Sequence, residues 1–583
     1  MKRTFDLVFL VLGIGMIGLF TTRYCMPFRL DDVLLMQWAN AHSVWDAFDP
    51  IKGQMINSFR PVFSLTAYLL THLAGWSHPF WWHLTLDVSL VAAIAFTGLT
   101  ARYLAGRWYA LEISVLLYFI AFLPILNIFF WYSDLTFGLE LAFTASAWYF
   151  GLRGLYEARL RFWAVAIALG TLAVLSKEPA FVLVHAVLLG SFLLERNRIA
   201  AVWNEKARSK KGMAIALYLI LLALTGWVAF VSPTKANRFF SFSSPDLSYF
   251  IRDRIEYYST AYFSITARMV LCFPIVYSLL QRFVKKSGFR MELASREVLA
   301  WSFMSVIALV FALVLFQNVA VGVPLLVFIF ILNATLEGPE RRRARALLPF
   351  VACVAVAIAA LLVTIQLVKT QLTEAALLTT VLSSWAWCLW IEDAGRAFGP
   401  YRFSPLVRWT SFAVGTIILA TVCIGVFPRI QREERLLREV RDVRQNANRA
   451  VEWSAQNLPK NSLLAVTDYG LYGFDGPGAL TAKDDETKLA EQYTFAGGFV
   501  FDALGVLGRN DFRRTFLSDS VVVREVLRAM RAAPNSYLFL QSKLDFDEFH
   551  GDRARKPLFE PSDHLVARFD RGPYPAEIWK LSH

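Results

Sequence analysis

The apolar residues of this chain fall into blocks of roughly 17–24, separated by short polar loops. A block of that length, wound into a helix, crosses about 30 Å of hydrocarbon. Composition agrees. Of 583 residues, 56% are hydrophobic and only 18% charged, and the mean hydropathy is +0.45. A soluble chain of this length would divide into several domains, with charge on about a quarter of its residues. Aromatic residues make up 15%, including 18 Trp and 49 Phe. Trp and Tyr favour the lipid–water boundary, so this content fits a membrane protein with many interfacial loops.

The net charge of +13 would suggest nucleic-acid binding in a soluble protein. Here the basic residues sit between apolar blocks, which fits loops retained in the cytoplasm, and no nucleic-acid partner is expected. About thirteen spans are predicted by a window of roughly 19 residues. They are 6–22, 83–104, 109–129, 135–152, 162–176, 179–194, 213–231, 262–281, 298–316, 319–335, 347–368, 373–391 and 409–428. Alternate loops are basic: Arg102 and Arg107; Arg153, Arg159 and Arg161; Arg196 to Lys211; Arg282 to Arg290; Arg341 to Arg345; Arg396 to Arg408. The others, except the basic outer loop 232–261, are sparse in Lys and Arg, as at Trp131–Asp134, Lys177-Glu178, Gln317-Asn318 and Lys369. Basic loops stay inside, so the N-terminus is expected in the cytoplasm and the C-terminal region outside. The apolar start after Met1-Lys2-Arg3 lacks a small-residue cleavage site and reads as an uncleaved first helix.

The segment Arg60 to Gly75 is apolar but short for a span. If it crossed, every later basic loop would face outside. It is therefore expected to lie on the outer surface, within a first outer loop covering 23–82. A preceding surface helix is predicted over 32–48, where Leu34, Trp38, Ala41, Trp45 and Phe48 recur at helical spacing. After Ile430 a charged helix over 431–456 gives way to strand-like runs at Ser462–Thr467 and Tyr537–Leu540, with a turn signal at Asp475-Gly476-Pro477-Gly478. The expected architecture is an all-α polytopic membrane domain over 1–429 and a soluble extracytoplasmic α/β domain, with its helical linker, over 430–583. The five cysteines show neither paired nor metal-type spacing.

Several polar residues stand where chemistry is plausible. Asp31-Asp32 follows the first span. An acidic pair suits a helix N-terminus, yet a carboxylate at the membrane surface also meets both lipid-borne and water-borne substrates. Asp134 opens a later helix, with Glu140 one to two turns on, and an ionisable residue at membrane depth is costly enough to suggest function. Lys177-Glu178-Pro179 interrupts two apolar spans and reads equally as a solvated turn. The loop 232–261 carries Lys235, Arg238, Arg252 and Arg254 among aromatic residues, a setting that suits a lipid-linked phosphate or plain surface charge. His72, His78 and His83 lack metal spacing and read as structural, and Asp545-Phe546-Asp547 is too incomplete for a cation loop.

Taken in order, these strings resemble the GT-C superfamily of polytopic glycosyltransferases, nearest to its protein O-mannosyltransferase and aminoarabinose-transferase branch. The likeness runs from the first span to about residue 195. Its residues are Phe28-Arg29-Leu30-Asp31-Asp32, Phe59-Arg60-Pro61 with Leu69-Leu70, Gly75, Pro79, Trp82-His83-Leu84, Ser133-Asp134-Leu135 and Leu175-Ser176-Lys177-Glu178. The resemblance implies inverting transfer of a sugar from a polyprenyl-phosphate donor to a lipid, glycan or protein acceptor, on the outer face of a bacterial inner membrane. It implies Asp31 as base with Asp32 and Asp134 beside it, and Arg60, His83, Lys177, Glu178, Lys235 and Arg238 as substrate-binding residues. Metal dependence varies across the superfamily, so a divalent metal stays open, and no other cofactor is implied. A multi-span transporter or lipid flippase, or a ligase of lipid-linked glycans, fits the same outline less well. Repeat symmetry is absent, and the acids gather at one surface.

Reporter fusions test this topology. Fusions after Gly75 and after His583 should both report an outside location. A cytoplasmic signal at Gly75 with an outside signal near Arg107 would overturn the scheme.

Overall fold

The computed structural model describes residues 28, 30–55, 58–122, 135–178, 180–194, 196–231, 277, 372–398, 438, 441–442, 444–467, 498–517, 520–540, 559–571 and 575–582. The expected spans 6–22, 298–316, 319–335, 347–368 and 409–428 lie outside these residues, as does all of 262–281 but Tyr277. So do Asp134, Lys235, Arg238 and Asp545-Phe546-Asp547.

The first helix, α1 (Leu30–Ala41), carries the acidic pair in its first turn. The surface helix expected over 32–48 is not continuous. It stops at Ala41, and a separate 3-10 turn spans Val44–Phe48. Local capping wins over the apolar stripe: the Asp46 carboxylate accepts from the Ser43 N–H at 2.8 Å and the Ser43 hydroxyl at 3.0 Å, which starts a new turn. Trp38 is consequently buried, its indole donating to the Lys52 carbonyl at 2.7 Å, while Trp45 is 78% exposed. The predicted single face is split in two.

Two proline-led helices follow, α2 (Pro61–Leu73) and α3 (Pro79–Ala105). Proline is preset for the first helical position, where no N–H is needed. Gly106 ends α3 in the left-handed region (φ 66°), donating its N–H to the Arg102 carbonyl at 3.0 Å. Next come α4 (Ala110–Phe122), α5 (Leu135–Tyr156), α6 (Leu160–Val174), α7 (Ala180–Leu194), α8 (Arg196–Asn204), α9 (Arg208–Val231) and α10 (Leu372–Phe398).

Helix α5 is the hub, packed on α3, α6 and α7. Small residues permit close approach without polar glue. A Cβ on Gly154 would lie 2.7 Å from the Trp163 backbone nitrogen, and one on Gly138 would lie 3.1 Å from the Ser89 side chain. Among the described residues, two helices are long and apolar enough to cross a membrane, α3 and α9. At a rise of about 1.5 Å per residue each exceeds the hydrocarbon thickness. Helices α2 and α6 are apolar but shorter. Helix α9 packs on α6, where Leu221 meets Gly170, and bonds α7 through Thr225 and His185 at 3.0 Å, yet leaves Met213, Ile215, Leu219, Ile220, Trp227 and Phe230 exposed. So much bare apolar surface suits hydrocarbon rather than water.

From residue 444 the chain changes character. A helix over 444–457, α11, leads into a five-stranded mixed sheet. Its strands are β3 (Leu463–Thr467), β4 (Arg513–Leu517), β5 (Ser536–Leu540), β6 (His564–Phe569) and β7 (Ala576–Leu581); β1 (Gln54–Met55) and β2 (Ser58–Phe59) form a separate small ribbon in the first loop. The spatial order is β4-β3-β5-β7-β6. The first three are parallel, and β7 runs antiparallel to its neighbours. Both runs read as strands from the sequence are strands, and β5 is buried along its whole length. Two further helices follow: α13 (Ser520–Arg531) packs on β4 and β7, and α12 (Gly498–Val506) packs on α1.

An ion pair staples the starts of β3 and β4. Arg509 Nε donates to Asp511 Oδ1 at 2.7 Å, and Asp511 Oδ2 accepts from the Asn461 N–H at 3.0 Å. Arg509, and then that N–H, hold the Asp511 carboxyl at a pKa of about 2. An unfolded Asp titrates near about 3.9, so the stabilisation is complete above that range and disappears as pH falls toward 2. Asp511→Asn should therefore lower the melting midpoint of this domain by a few degrees at pH 7, and the difference from wild type should be much smaller at pH 2. An equal drop at both pH values would mark a packing defect instead.

Candidate active site

The turn between α6 and α7 presents Ser176, Lys177 and Glu178, all buried. Two contacts bind it to the start of α2. The Val62 N–H donates to the Leu175 carbonyl at 3.1 Å. Arg60, immediately before α2, grips Glu178 with Nη2 at 2.8 Å and Nε at 3.2 Å from both carboxylate oxygens. Both side chains are withdrawn from solvent, 13% and 5% exposed. A planar guanidinium facing a carboxylate on several N–H···O bonds is a strong, orientation-specific pair. The solvated-turn reading of Lys177-Glu178 does not survive this burial.

Lys177 is 1% exposed, with its ammonium over the ring of Phe137 in the first turn of α5. Phe137 follows Asp134 by three residues, so the sequence carrying Asp134 runs directly into the element that Lys177 touches. Glu140, one turn further along α5, is fully buried. On α3, His83 Nε2 lies 3.5 Å from Asp87 Oδ2, one turn apart, and both are buried. The Gly138 contact with Leu86 and Ser89 brings this part of α3 against the same end of α5.

Helix α1 lies against α2. Asp32 is 0% exposed. An acid serving only as a surface cap would keep its hydration, because burying a carboxylate is costly unless it is paired. Asp31 stands beside it in the same turn. Phe28, just ahead of the pair, is packed between Trp76 and Trp82 at centroid separations of 5.3 and 6.0 Å.

The predicted residues therefore gather unevenly. Asp32, Arg60, Lys177 and Glu178 are carried by elements that touch one another, and His83 lies on a neighbouring helix. Arg60 and Glu178, predicted as separate substrate-binding residues, are bonded to each other. The sequence reading missed Asp87 and a set of contacts from the C-terminal domain. Asn448 Nδ2 donates to the Phe28 carbonyl at 3.2 Å, Trp76 Nε1 to Glu452 at 2.8 Å, and Gln37 Nε2 to the Asp502 carbonyl at 3.0 Å. One signal was available: residues 444, 448 and 452 recur every fourth position along α11 and form a polar stripe. Among the described residues no group of three or more His, Cys, Asp and Glu is placed to hold a metal ion.

No family model matches the chain. No curated protein matches its sequence. Two solved structures of ArnT from Cupriavidus metallidurans are similar to it. The apo state is 13% identical over 98% of each chain with a TM-score of 0.34. The state bound to undecaprenyl phosphate is 14% identical over 99% of each chain, also with a TM-score of 0.34.

The ion pair yields a prediction. Arg60→Ala or Glu178→Ala alone leaves a buried charge without its partner, at a cost of about 3–5 kcal/mol. Each should sharply lower the yield of folded protein. The exchanged pair, Arg60→Glu with Glu178→Arg, should recover part of it, as read by size-exclusion chromatography and thermal melting.

Proposed function

We propose that the protein is a membrane glycosyltransferase that moves a sugar from a polyprenyl-phosphate donor to an acceptor hydroxyl or amine on the extracytoplasmic face. The observation that carries this reading is the burial of Asp32 and Lys177 on connected elements at one end of a bundle containing membrane-length helices. Opposite charges held out of water, where apolar helices meet a polar domain, suit a substrate with a lipid tail and a charged head.

The chemistry asks little else of the protein. The anomeric C–O bond to phosphate breaks as the acceptor oxygen or nitrogen attacks from the opposite face, inverting the anomeric centre. The bonding electrons leave with the polyprenyl phosphate, already a good leaving group, so no strong general acid is required. A carboxylate must take the acceptor proton, and cations must steady the departing phosphate. We assign the base to Asp31, supported by Asp32, with Asp134 orienting the acceptor. Lys177, Lys235 and Arg238 are assigned to the phosphate. Arg60 and Glu178 serve that site as a bonded pair that sets the position of Lys177. His83, paired with Asp87 on α3, borders it.

Asparagine caps helix starts nearly as well as aspartate, so Asp31→Asn separates catalysis from capping. The capping role predicts a near-normal enzyme. The catalytic role predicts normal insertion and a transfer rate lower by at least about 100-fold, since a positioned base contributes roughly 10²–10⁴. Asp32→Asn should be milder, and Asp134→Asn should impair transfer while sparing donor binding. Transfer is followed as loss of label from polyprenyl-phosphate sugars incubated with native envelope. Full activity in both Asp31→Asn and Asp32→Asn would defeat this mechanism.

A further inference from the structure

The exposed apolar face of α9 runs into its last turn, where Trp227 is half-exposed and Phe230 is 84% exposed. A tryptophan at the end of a membrane-length helix is favoured at the lipid–water boundary. Trp227 meets the first loop at this level, its ring 5.9 Å from the ring of Phe59, edge to face. Phe59 pairs with Gln54 across the β1–β2 ribbon, and Gln54 Nε2 donates to the Pro50 carbonyl at 2.8 Å. The chain just ahead of the ribbon, 43–53, therefore lies beside the lipid-facing end of α9.

This loop shows apolar side chains. Trp45, Phe48 and Ile51 are all exposed, Ile51 at 82%. The loop is also firmly braced. Asp49 Oδ1 accepts from the Ile51 N–H at 2.8 Å and the Lys52 N–H at 3.0 Å, and the Lys52 carbonyl takes the Trp38 indole. A Cβ on Gly53 would lie 2.6 Å from the Ala47 carbonyl oxygen and 2.7 Å from that of Asp49, so the backbone closes tightly on itself. Trp45 and Ile51 are thus held outward by a backbone with little room to fold them in. Single exposed apolar residues are ordinary on a water-facing surface. Three on one braced loop, against the end of a membrane-length helix, mark a contact surface. Among the described residues, the hydrogen bonds from the C-terminal domain to the first loop fall elsewhere, on Phe28, Gln37 and Trp76. Exposed Lys52 suits a lipid boundary, because its long stem can keep the ammonium in water while its neighbours are immersed.

We propose that loop 43–53 is a lipid anchor, which inserts Trp45, Phe48 and Ile51 into the headgroup region of the membrane beside the end of α9. Arg60 directly follows Phe59, so the anchor holds the Arg60–Glu178 pair and the adjoining Lys177 close to the level of the lipid headgroups. The bearing of that depth on a lipid-phosphate donor rests on the transferase reading above. The anchoring itself does not, and its test needs no turnover.

The test uses the full chain in nanodiscs of phosphatidylethanolamine and phosphatidylglycerol. The five native cysteines are changed to alanine, and a nitroxide is attached to Trp45→Cys or Ile51→Cys. Leu219→Cys, on the exposed face of α9, gives the lipid reference, and Arg449→Cys, exposed on α11, gives the water reference. Relaxation by oxygen and by a water-soluble nickel chelate is then compared. Labels at 45 and 51 should be open to oxygen and shielded from the chelate, at a depth of about 5–10 Å into the headgroup–acyl boundary. They should be shallower than the label at 219. Chelate access equal to that at 449 means the loop stands in water, and overturns the proposal. Shielding from both reagents means that protein covers the loop, and overturns it equally. If the cysteine-free chain does not fold, benzoylphenylalanine is placed at position 51, and separately at 219, of the otherwise unchanged chain in nanodiscs of tritiated phospholipid. Light-driven transfer of tritium to the protein from both positions supports the anchor. Transfer from 219 alone overturns it.

Discussion

The buried pairing of Arg60 with Glu178 is the constraint on which the candidate site depends. Each charge alone would be expelled from a site this dry, since desolvating an ion costs several kcal/mol even after relaxation. Together, on three close N–H···O contacts, they fasten the start of α2 to the α6–α7 turn. That attachment sets where Lys177 points, and Lys177 in turn rests on the first turn of α5. A 13-residue helix and a turn between two apolar helices thereby become one corner. The pair contributes more to orientation than to net stability, because a buried ion pair seldom exceeds its own desolvation cost.

Around that corner the helices owe their proximity to small side chains. Gly138 and Gly154 each occupy a place where a methyl group would strike a neighbouring helix. In hydrocarbon there is no hydrophobic driving force between helices, so van der Waals contact must supply the association. The C-terminal domain is held by different means. Its own fold rests on the buried β5 and on buried charge networks such as Arg531 with Asp563. Its attachment to the first loop is polar and aromatic, through Gln37, Trp76 and Asn448.

Much of this organisation was legible in the sequence where local chemistry governs it. Pro61 and Pro79 each open a helix, where proline's preset φ is favoured, although the hydropathy reading began the second of these helices only at residue 83. Strands β3 and β5 were readable from short β-branched and aromatic runs. The break after Ala41 was hidden because Trp45 and Phe48 stay in phase with the preceding helix, while Ser43 and Asp46 form their own cap. Long-range pairing was not readable either. Arg60 and Glu178 are separated by 118 residues, and nothing at either position encodes the other. Asp31-Asp32 could be singled out, yet the burial of Asp32 could not, since it depends on chain contributed by distant elements. Arg444 was concealed in a run of charges that reads as a solvated linker.

The contact between Asn448 and Phe28 joins positions 420 residues apart. Translation proceeds from the N-terminus at about 5–20 residues per second. The segment leading into the acid-bearing helix thus emerges long before the helix that grips it. Throughout that time the loop bears its two carboxylates without its final support. The last portion of the chain to be made therefore sets when the first loop reaches its finished form. On the proposed reading, a newly made enzyme stays inactive until its C-terminal domain has been exported and docked, so the order of synthesis itself guards the lipid donor from a half-built protein.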